Sequence, residues 1–196
     1  RQGIGRITLG ATTVNPGATI TLGAGAATPM TLSSISGVAT GSPGNPSGQK
    51  SSLTINTTDA VTFSGAITTN IGSLTITNSG STTFNGALGS SSDRITSLVI
   101  TSSSGTILFA NNLYSGAMSN AGGTAEIKFY GSVTNVTSAI TLSTTGAVYY
   151  GDATSDQLTF TRGITHNTGN NILLGSFTLD SGTINSLSLI HISEPT

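Results

Sequence analysis

Carboxylates are the side chains of this sequence with the clearest capacity for chemistry, because two of them can together hydrolyse a glycosidic bond. Six acids precede residue 187, namely Asp59, Asp93, Glu126, Asp152, Asp156 and Asp180. Asp152 and Asp156 are the only two that are close in sequence, and they lie in the segment GDATSD. Arg162 is the single basic residue near them. We therefore expect solvated turn residues here and predict no catalytic residue.

The sequence offers no set of residues that would bind a metal ion or a cofactor. Cysteine is absent, which excludes disulfides and thiolate ligands. His166, in ITHNTGNN, has no nearby histidine to join it and is interpreted as a loop residue. Gly122-Gly123 is followed by Thr-Ala, whereas calcium-binding coils need an acid in each repeat. We predict neither a metal site nor a cofactor.

Composition limits the kinds of partner that the chain can have. Only 7% of the 196 residues are charged and the formal net charge is −1, so a basic surface for nucleic acid is not expected. Hydrophobic residues make up 35%, and mean hydropathy is +0.17, which argues against disorder. No apolar run approaches the roughly 20 residues that span a bilayer, so we expect no membrane insertion.

An internal repeat organises most of the chain. Ser52 to Ile67 reads SLTINTTDAVTFSGAI and Ser73 to Leu88 reads SLTITNSGSTTFNGAL, with 8 of 16 positions identical at an offset of 21 residues. Further copies begin at Ser97 and Ala139, and a partial copy begins at Ile127. A glycine follows the aromatic position in several copies, whereas its neighbours vary. The repeat predicts stacked structural units.

Each unit alternates apolar and polar residues, which predicts two or three short β-strands with one buried face. Aromatic residues at positions 63, 84, 109, 129 and 149 are separated by 21, 25, 20 and 20 residues. This spacing favours a parallel β-helix with coils of about 20–25 residues and an interior column of stacked rings; a β-sandwich is the alternative. The predicted core of the repeat is Leu53, Ile55, Val61, Phe63, Leu74, Ile76, Phe84, Leu98, Ile100, Phe109, Ile127, Phe129, Ile140, Leu142 and Tyr149.

Four regions follow from this pattern. Residues 1–38 are expected to form irregular β-repeat coils, and residues 51–186 the regular β-helix, incomplete at its C-terminal end. Between them, residues 39–50 read ATGSPGNPSGQK, a loop insertion rich in Gly, Pro and Ser that could bind a ligand. The last ten residues, LSLIHISEPT, resemble the translation of a transposase adapter used for sequencing libraries. We therefore expect residues 187–196 to be a non-native tail and the chain to be a fragment.

The repeat S-L-T-I followed by T-x-F-x-G-A, over residues 51–185, resembles the β-strand repeats of filamentous-haemagglutinin-like exoproteins and autotransporter passenger domains. The resemblance implies a right-handed parallel β-helix that a Gram-negative bacterium exports and displays at its outer surface. It also implies adhesion to proteins or glycans of host or neighbouring cells. We expect a non-catalytic shaft segment that makes weak, multivalent contacts and joins the remainder of a longer chain.

Two other functions remain as alternatives. The first is a segment of a polysaccharide-active β-helix enzyme, whose acids would meet a basic residue in one groove. The second is an ice-binding solenoid, because Thr-x-Thr pairs occur at Thr19/Thr21, Thr75/Thr77 and Thr159/Thr161. An ice-binding face would need such a pair at the same place on nearly every coil, and threonine is in any case common on exposed strands.

Overall fold

Short runs of alternating apolar and polar residues form strands throughout the chain. The computed structural model describes residues 5–166 and 168–179, together with the backbone of 184–185. The proposed tail at 187–196 and the acid at position 180 lie outside the described residues. Within these ranges the secondary structure is β-strand, turn and bend, without a helix.

Three parallel sheets make up the structure, and the first two run along its length. The first has eight strands, in the spatial order β1 (Ile7–Leu9), β4 (Met30–Leu32), β7 (Ala60–Phe63), β10 (Ser81–Phe84), β12 (Ile107–Phe109), β14 (Ile127–Phe129), β17 (Val148–Tyr150) and β20 (Asn171–Leu173). The third sheet is short, with the strands β2 (Thr12–Val14), β5 (Ile35–Gly37) and β8 (Ile67–Thr68).

The second sheet has eleven strands. Its main path is β3 (Thr19–Leu22), β6 (Ser51–Asn56), β9 (Ile71–Asn78), β11 (Ile95–Ile100), β13 (Leu113–Asn120), β15 (Val133–Val136), β18 (Gln157–Phe160) and β21 (Ser176–Leu179). A branch pairs with β13 and contains β16 (Ile140–Leu142), β19 (Ile164–His166) and β22 (Ile184–Asn185).

Every strand in these sheets pairs in parallel with a strand of the next coil. The chain therefore forms a right-handed parallel β-helix of about seven coils, and the predicted fold class is confirmed. The sandwich alternative is wrong, because its sheets would be built from antiparallel hairpins.

The interior is filled by stacked like residues. The ring centroids of Phe63 and Phe84 are 4.8 Å apart, those of Phe84 and Phe109 are 5.1 Å apart, and those of Phe109 and Phe129 are 5.3 Å apart. These four rings are at most 1% exposed. The structure also buries the other predicted core residues except Tyr149, and these are Leu53, Ile55, Val61, Leu74, Ile76, Leu98, Ile100, Ile127, Ile140 and Leu142.

Tyr149 does not belong to this column. The register places Phe129 beside Tyr150, whose ring is stacked 5.9 Å from that of Phe129, whereas Tyr149 pairs with Lys128 on the outer face. The glycine of this coil comes one position earlier, because the N–H of Gly151 bonds the Phe129 carbonyl, whereas in the preceding coil Tyr130 makes the equivalent bond to Phe109 and Gly131 follows it. An alignment on the glycine therefore selects Tyr149 instead of Tyr150. A shift of one residue moves a side chain to the opposite face of a strand.

The glycine retained after the aromatic position is explained by how closely consecutive turns approach. A Cβ atom on Gly86 would overlap the backbone of Gly65 in the preceding coil. The same overlap would occur between Gly65 and Ser34, and between Gly131 and Asn111. A side chain at these positions would push the coils apart, which is why glycine recurs while its neighbours vary.

We predict that Tyr150→Ala lowers the free energy of unfolding by about 3–5 kcal/mol, because it removes a buried ring. Tyr149→Ala should cost about 1 kcal/mol, the scale of the exposed contact between the Lys128 ammonium and the Tyr149 ring, which lie 4.8 Å apart. Urea unfolding followed by circular dichroism compares the two variants. Equal losses, or a larger loss for Tyr149→Ala, would contradict this register.

Candidate functional site

A surface depression of about 740 Å³ is the candidate site. It lies where the loop 39–50 meets the corner after β8 and the turn before β11. Ala39 has the one apolar side chain among the lining residues. The others, apart from Gly116, carry hydroxyl, amide or charged groups. Two cations, Lys50 and Arg94, and one carboxylate, Asp93, line it. The site therefore has one net positive charge in a chain whose formal charge is −1.

A single asparagine fixes the loop beside this depression. Asn45 is 1% exposed, and its Nδ2 donates to the carbonyls of Val38 and Gln49, each at 2.9 Å. Its Oδ1 accepts the N–H of Gln49 at 2.8 Å. These bonds tie the two ends of the loop together, so that Thr40 and Lys50 have defined places in the wall. The loop is an insertion between β5 and β6, and it is folded upon itself rather than extended.

The ion pair between Lys50 and Asp93 connects the loop to the turn before β11. Lys50 Nζ lies 2.7 Å from Asp93 Oδ1 and donates to the carbonyl of Arg94 at 2.9 Å. Asp93 Oδ2 accepts the N–H of Asn70 at 2.7 Å. Asp93 thus joins three segments of chain, and each of its carboxylate oxygens has a partner.

Thr69 and Asn70 hold a strained corner of the site. Their φ angles are +53° and +54°, a left-handed conformation that asparagine tolerates but that is costly for the β-branched threonine. The surroundings impose it: the Asn70 side chain donates to the carbonyl of Val38 at 2.6 Å and accepts the hydroxyl of Thr40 at 3.1 Å. The carbonyl of Thr69 accepts the N–H of Gly37 at 2.6 Å. The corner is therefore fixed by several hydrogen bonds at once.

Arg94 forms the other end of the depression and has N–H donors that bond no described residue. Its Nη1 donates to the carbonyl and to the Oδ1 of Asn135, at 3.2 and 3.0 Å. The guanidinium also lies 5.6 Å from the centroid of the Tyr114 ring. Among the described residues no carboxylate comes within ion-pair distance of it. An arginine has five N–H donors, so Nε and Nη2 remain able to bind an oxyanion.

The two acids expected in a solvated turn have different environments. Asp156 is 4% exposed, and its Oδ2 accepts the N–H groups of Asp152 and Ala153 at 2.9 and 3.0 Å. The expectation of a solvated residue is wrong for Asp156, which holds the turn together from inside. Asp152 is exposed. Slight burial and the neighbouring Asp156 carboxylate raise the pKa of Asp152.

His166 is a strand residue rather than the expected loop residue. It ends β19 and is 1% exposed, with Nδ1 at 2.9 Å from Asn171 Oδ1 and Nε2 at 3.1 Å from the Thr144 carbonyl. Both ring nitrogens are therefore engaged inside the solenoid. The described residues contain no group of three or more His, Cys, Asp or Glu side chains that could hold a metal ion.

Threonine ladders are present but interrupted. On the first sheet Thr31, Thr62 and Thr83 lie in register, and Leu108 and then Lys128 take the same position on the next coils. On the second sheet, Thr21, Thr54 and Thr75 are in register and Val99 follows. The outer face thus changes from hydroxyl groups to mixed side chains halfway along the helix.

Sequence reasoning pointed to the loop 39–50 but missed the other walls of the depression, although one signal indicated them. Lys50 and Asp93 are 43 residues apart, about twice the repeat offset of 21, so a stacked fold brings them to the same corner two coils apart. Both are among only 13 charged residues. Charged residues that recur at multiples of the repeat length are therefore candidates for a shared site.

The fold and the site define a class of protein: a parallel β-solenoid with a polar, positively charged depression at one corner. The chain shows no significant match to protein-family models, to curated proteins or to solved structures. The described part of the chain contains no helix of the length and apolar character needed to cross a membrane.

We predict that the stabilising effect of Asp93 depends on pH. Partial burial alone would raise the pKa of Asp93, but the bonds to the Lys50 ammonium and the Asn70 N–H lower it by more. The net pKa is therefore below the ordinary value of 3.8. The stabilisation is complete above that ordinary value and is lost as pH falls through the folded-state pKa. Asp93→Asn should therefore cost about 1–2 kcal/mol at pH 7 and much less at pH 2.5.

Urea unfolding at the two pH values measures this difference. Lys50→Gln serves as the control, because it removes one cause of the lowered pKa and should also reduce the acid sensitivity. A penalty for Asp93→Asn that is the same at both pH values would show that the carboxylate is not stabilised in its ionised form.

Proposed function

We propose that this segment is a structural shaft of an adhesin-like exoprotein that a Gram-negative bacterium secretes or displays at its surface. In this proposal the segment does not catalyse a reaction. It holds weak contact sites at fixed intervals, and its partners are proteins or glycans on host or neighbouring cells. The observation that carries the proposal is the unbroken parallel stack of eight strands in the first sheet.

The stack supports a mechanical role because it makes a stiff spacer. Eight strands are separated by seven intervals of about 4.8 Å, which gives a rise of about 34 Å along the axis. Each coil covers the edge of the preceding coil with hydrogen bonds, and the aromatic column fills the space between them. Additional coils would lengthen such a spacer without a change in design.

The outer surface supports weak contacts. Small hydroxyl side chains occupy outward-facing, half-buried positions of the first coils, for example Thr31, Thr62 and Thr83, and 7% of the residues are charged. Such a surface gives little affinity at any one place. Many copies on one cell can still bind strongly, because linked sites raise the effective concentration of one another.

The turn of Asp152 and Asp156 also favours a non-catalytic role over the polysaccharide-active alternative. A glycosidase needs one carboxyl group to protonate the leaving oxygen and another to act on the opposite face of the sugar. Asp156 is 4% exposed and its Oδ2 already accepts two backbone N–H groups. It is thereby occupied as a structural acceptor.

Binding and cleavage assays together test this proposal. The purified chain is offered to epithelial cells and to a glycan array as a monomer and as a multimer on a streptavidin scaffold. We expect retention of the multimer to exceed that of the monomer by about 10²–10⁴-fold. Incubation with pectin, alginate and hyaluronan should release no new reducing ends and no unsaturated products.

Asp152→Asn is the matched variant for the enzymatic alternative. Cleavage by the wild-type chain that this variant loses would overturn the shaft proposal and identify an enzyme. Equal retention of monomer and multimer would contradict the multivalent part of the proposal.

A further inference from the structure

We propose that the depression beside the loop 39–50 binds a carboxylated saccharide, whose carboxylate bonds the guanidinium of Arg94. The inference deepens the proposed function, because it rests on the shaft making contacts with glycans and names the chemistry of one such contact.

The charge balance of the depression favours an anionic ligand. Asp93 neutralises Lys50 across 2.7 Å, and its second oxygen is taken by the N–H of Asn70. Arg94 has no carboxylate within ion-pair distance among the described residues, and the hydrogen bonds of its guanidinium to those residues are made by Nη1 alone. The Nε and Nη2 donors form a planar fork that fits the two oxygens of a carboxylate. An oxyanion bound there would satisfy the guanidinium.

Side chains around Arg94 favour a saccharide over an apolar or peptidic ligand. Thr69, Ser91, Ser92 and Thr96 bring hydroxyl groups to the walls, while the Thr40 hydroxyl and the Asn70 amide bond each other and support the wall behind them. Hydroxyl groups donate and accept hydrogen bonds and so match the ring hydroxyls of a sugar. Ala39 is the one residue of the lining with an apolar side chain. A volume of about 740 Å³ is within the usual range for small-ligand sites.

Hydrogen bonds within the protein fix the walls of the site. Asn45 ties both ends of the loop, and the left-handed corner at Thr69 and Asn70 is held by bonds to Val38, Thr40 and Gly37. Backbone strain of this kind persists only where surrounding contacts impose it. A fixed site loses little conformational entropy on binding, so even a single charged contact can give measurable affinity.

Two probes represent the two sources of a sugar carboxylate. The trimer of galacturonic acid represents uronic acids, and sialyllactose represents sialic acids. Each is titrated into the ¹⁵N-labelled 196-residue chain while amide resonances are followed by nuclear magnetic resonance. The controls are the methyl ester of the galacturonate trimer and lactose, which keep the sugars and lack the charge. We expect at least one acid to shift the amides of Thr40, Asn70 and residues 91–94 with a dissociation constant of about 1 mM, and the neutral controls to leave them unshifted.

Variants locate the charged contact. Arg94→Gln should weaken binding about tenfold because it removes a charge-assisted bond, and Arg94→Lys should retain part of the affinity. Arg162→Gln is the matched control, since this exposed arginine lies outside the depression, and it should bind like the wild type.

A second variant pair does not depend on the structural bonds of Arg94. Ser91 is exposed on the wall, so Ser91→Glu adds a carboxylate that competes for the guanidinium, whereas Ser91→Gln adds similar bulk without charge. We expect Ser91→Glu to lose at least tenfold in affinity and Ser91→Gln to lose less than threefold. Folding of every variant is checked by its amide spectrum.

Absence of shifts with both acids would overturn the proposal, as would equal binding of the neutral controls or unchanged binding by folded Ser91→Glu. None of these results would contradict the shaft proposal, which predicts multivalent retention and no cleavage. Cleavage of the galacturonate trimer would produce new sugar resonances in the same titration, so failure of the proposed function would be seen separately.

Discussion

The spacing between stacked coils, about 4.8 Å, is the constraint on which the rest of the structure depends. Backbone hydrogen bonds set that distance, and every coil must then place a residue of similar shape over its neighbour. Aromatic rings meet the requirement because flat faces can approach this closely, as the 4.8–5.3 Å separations from Phe63 to Phe129 show. Glycine meets it at the turns, where a Cβ on Gly86 would overlap the preceding coil.

The same constraint gives the molecule its capacity to carry a site. Because regular coils position their corners so strictly, a local departure from the repeat is held firmly by its neighbours. The insertion 39–50 is such a departure, and the left-handed pair Thr69 and Asn70 is another. Both occur at one corner of the solenoid, where Lys50 and Asp93 bridge segments that lie 43 residues apart. The regular sheets thus hold the irregular corner in place, and that corner is where contacts with other molecules are proposed.

Much of the fold could be predicted from the sequence, because alternation and a 21-residue offset are direct consequences of strand pleating and coil stacking. The predicted register was wrong at Tyr149, because the glycine of that coil follows the interior aromatic residue by one position rather than two, and two adjacent tyrosines give no sign of which one faces inward. The depression could not be predicted in detail. Its corner depends on positive φ angles at Thr69 and Asn70, and threonine gives no sign of that conformation.

A cysteine cross-link across adjacent coils tests the stacking register most directly, because the chain has no native cysteine. Thr83 lies directly beside Leu108 in the first sheet, whereas Ala110 is two residues further along. Under mild oxidation, the Thr83→Cys/Leu108→Cys pair should form an intramolecular disulfide faster and more completely than Thr83→Cys/Ala110→Cys. Preferential cross-linking of the second pair, or of neither pair, would contradict the stacked register.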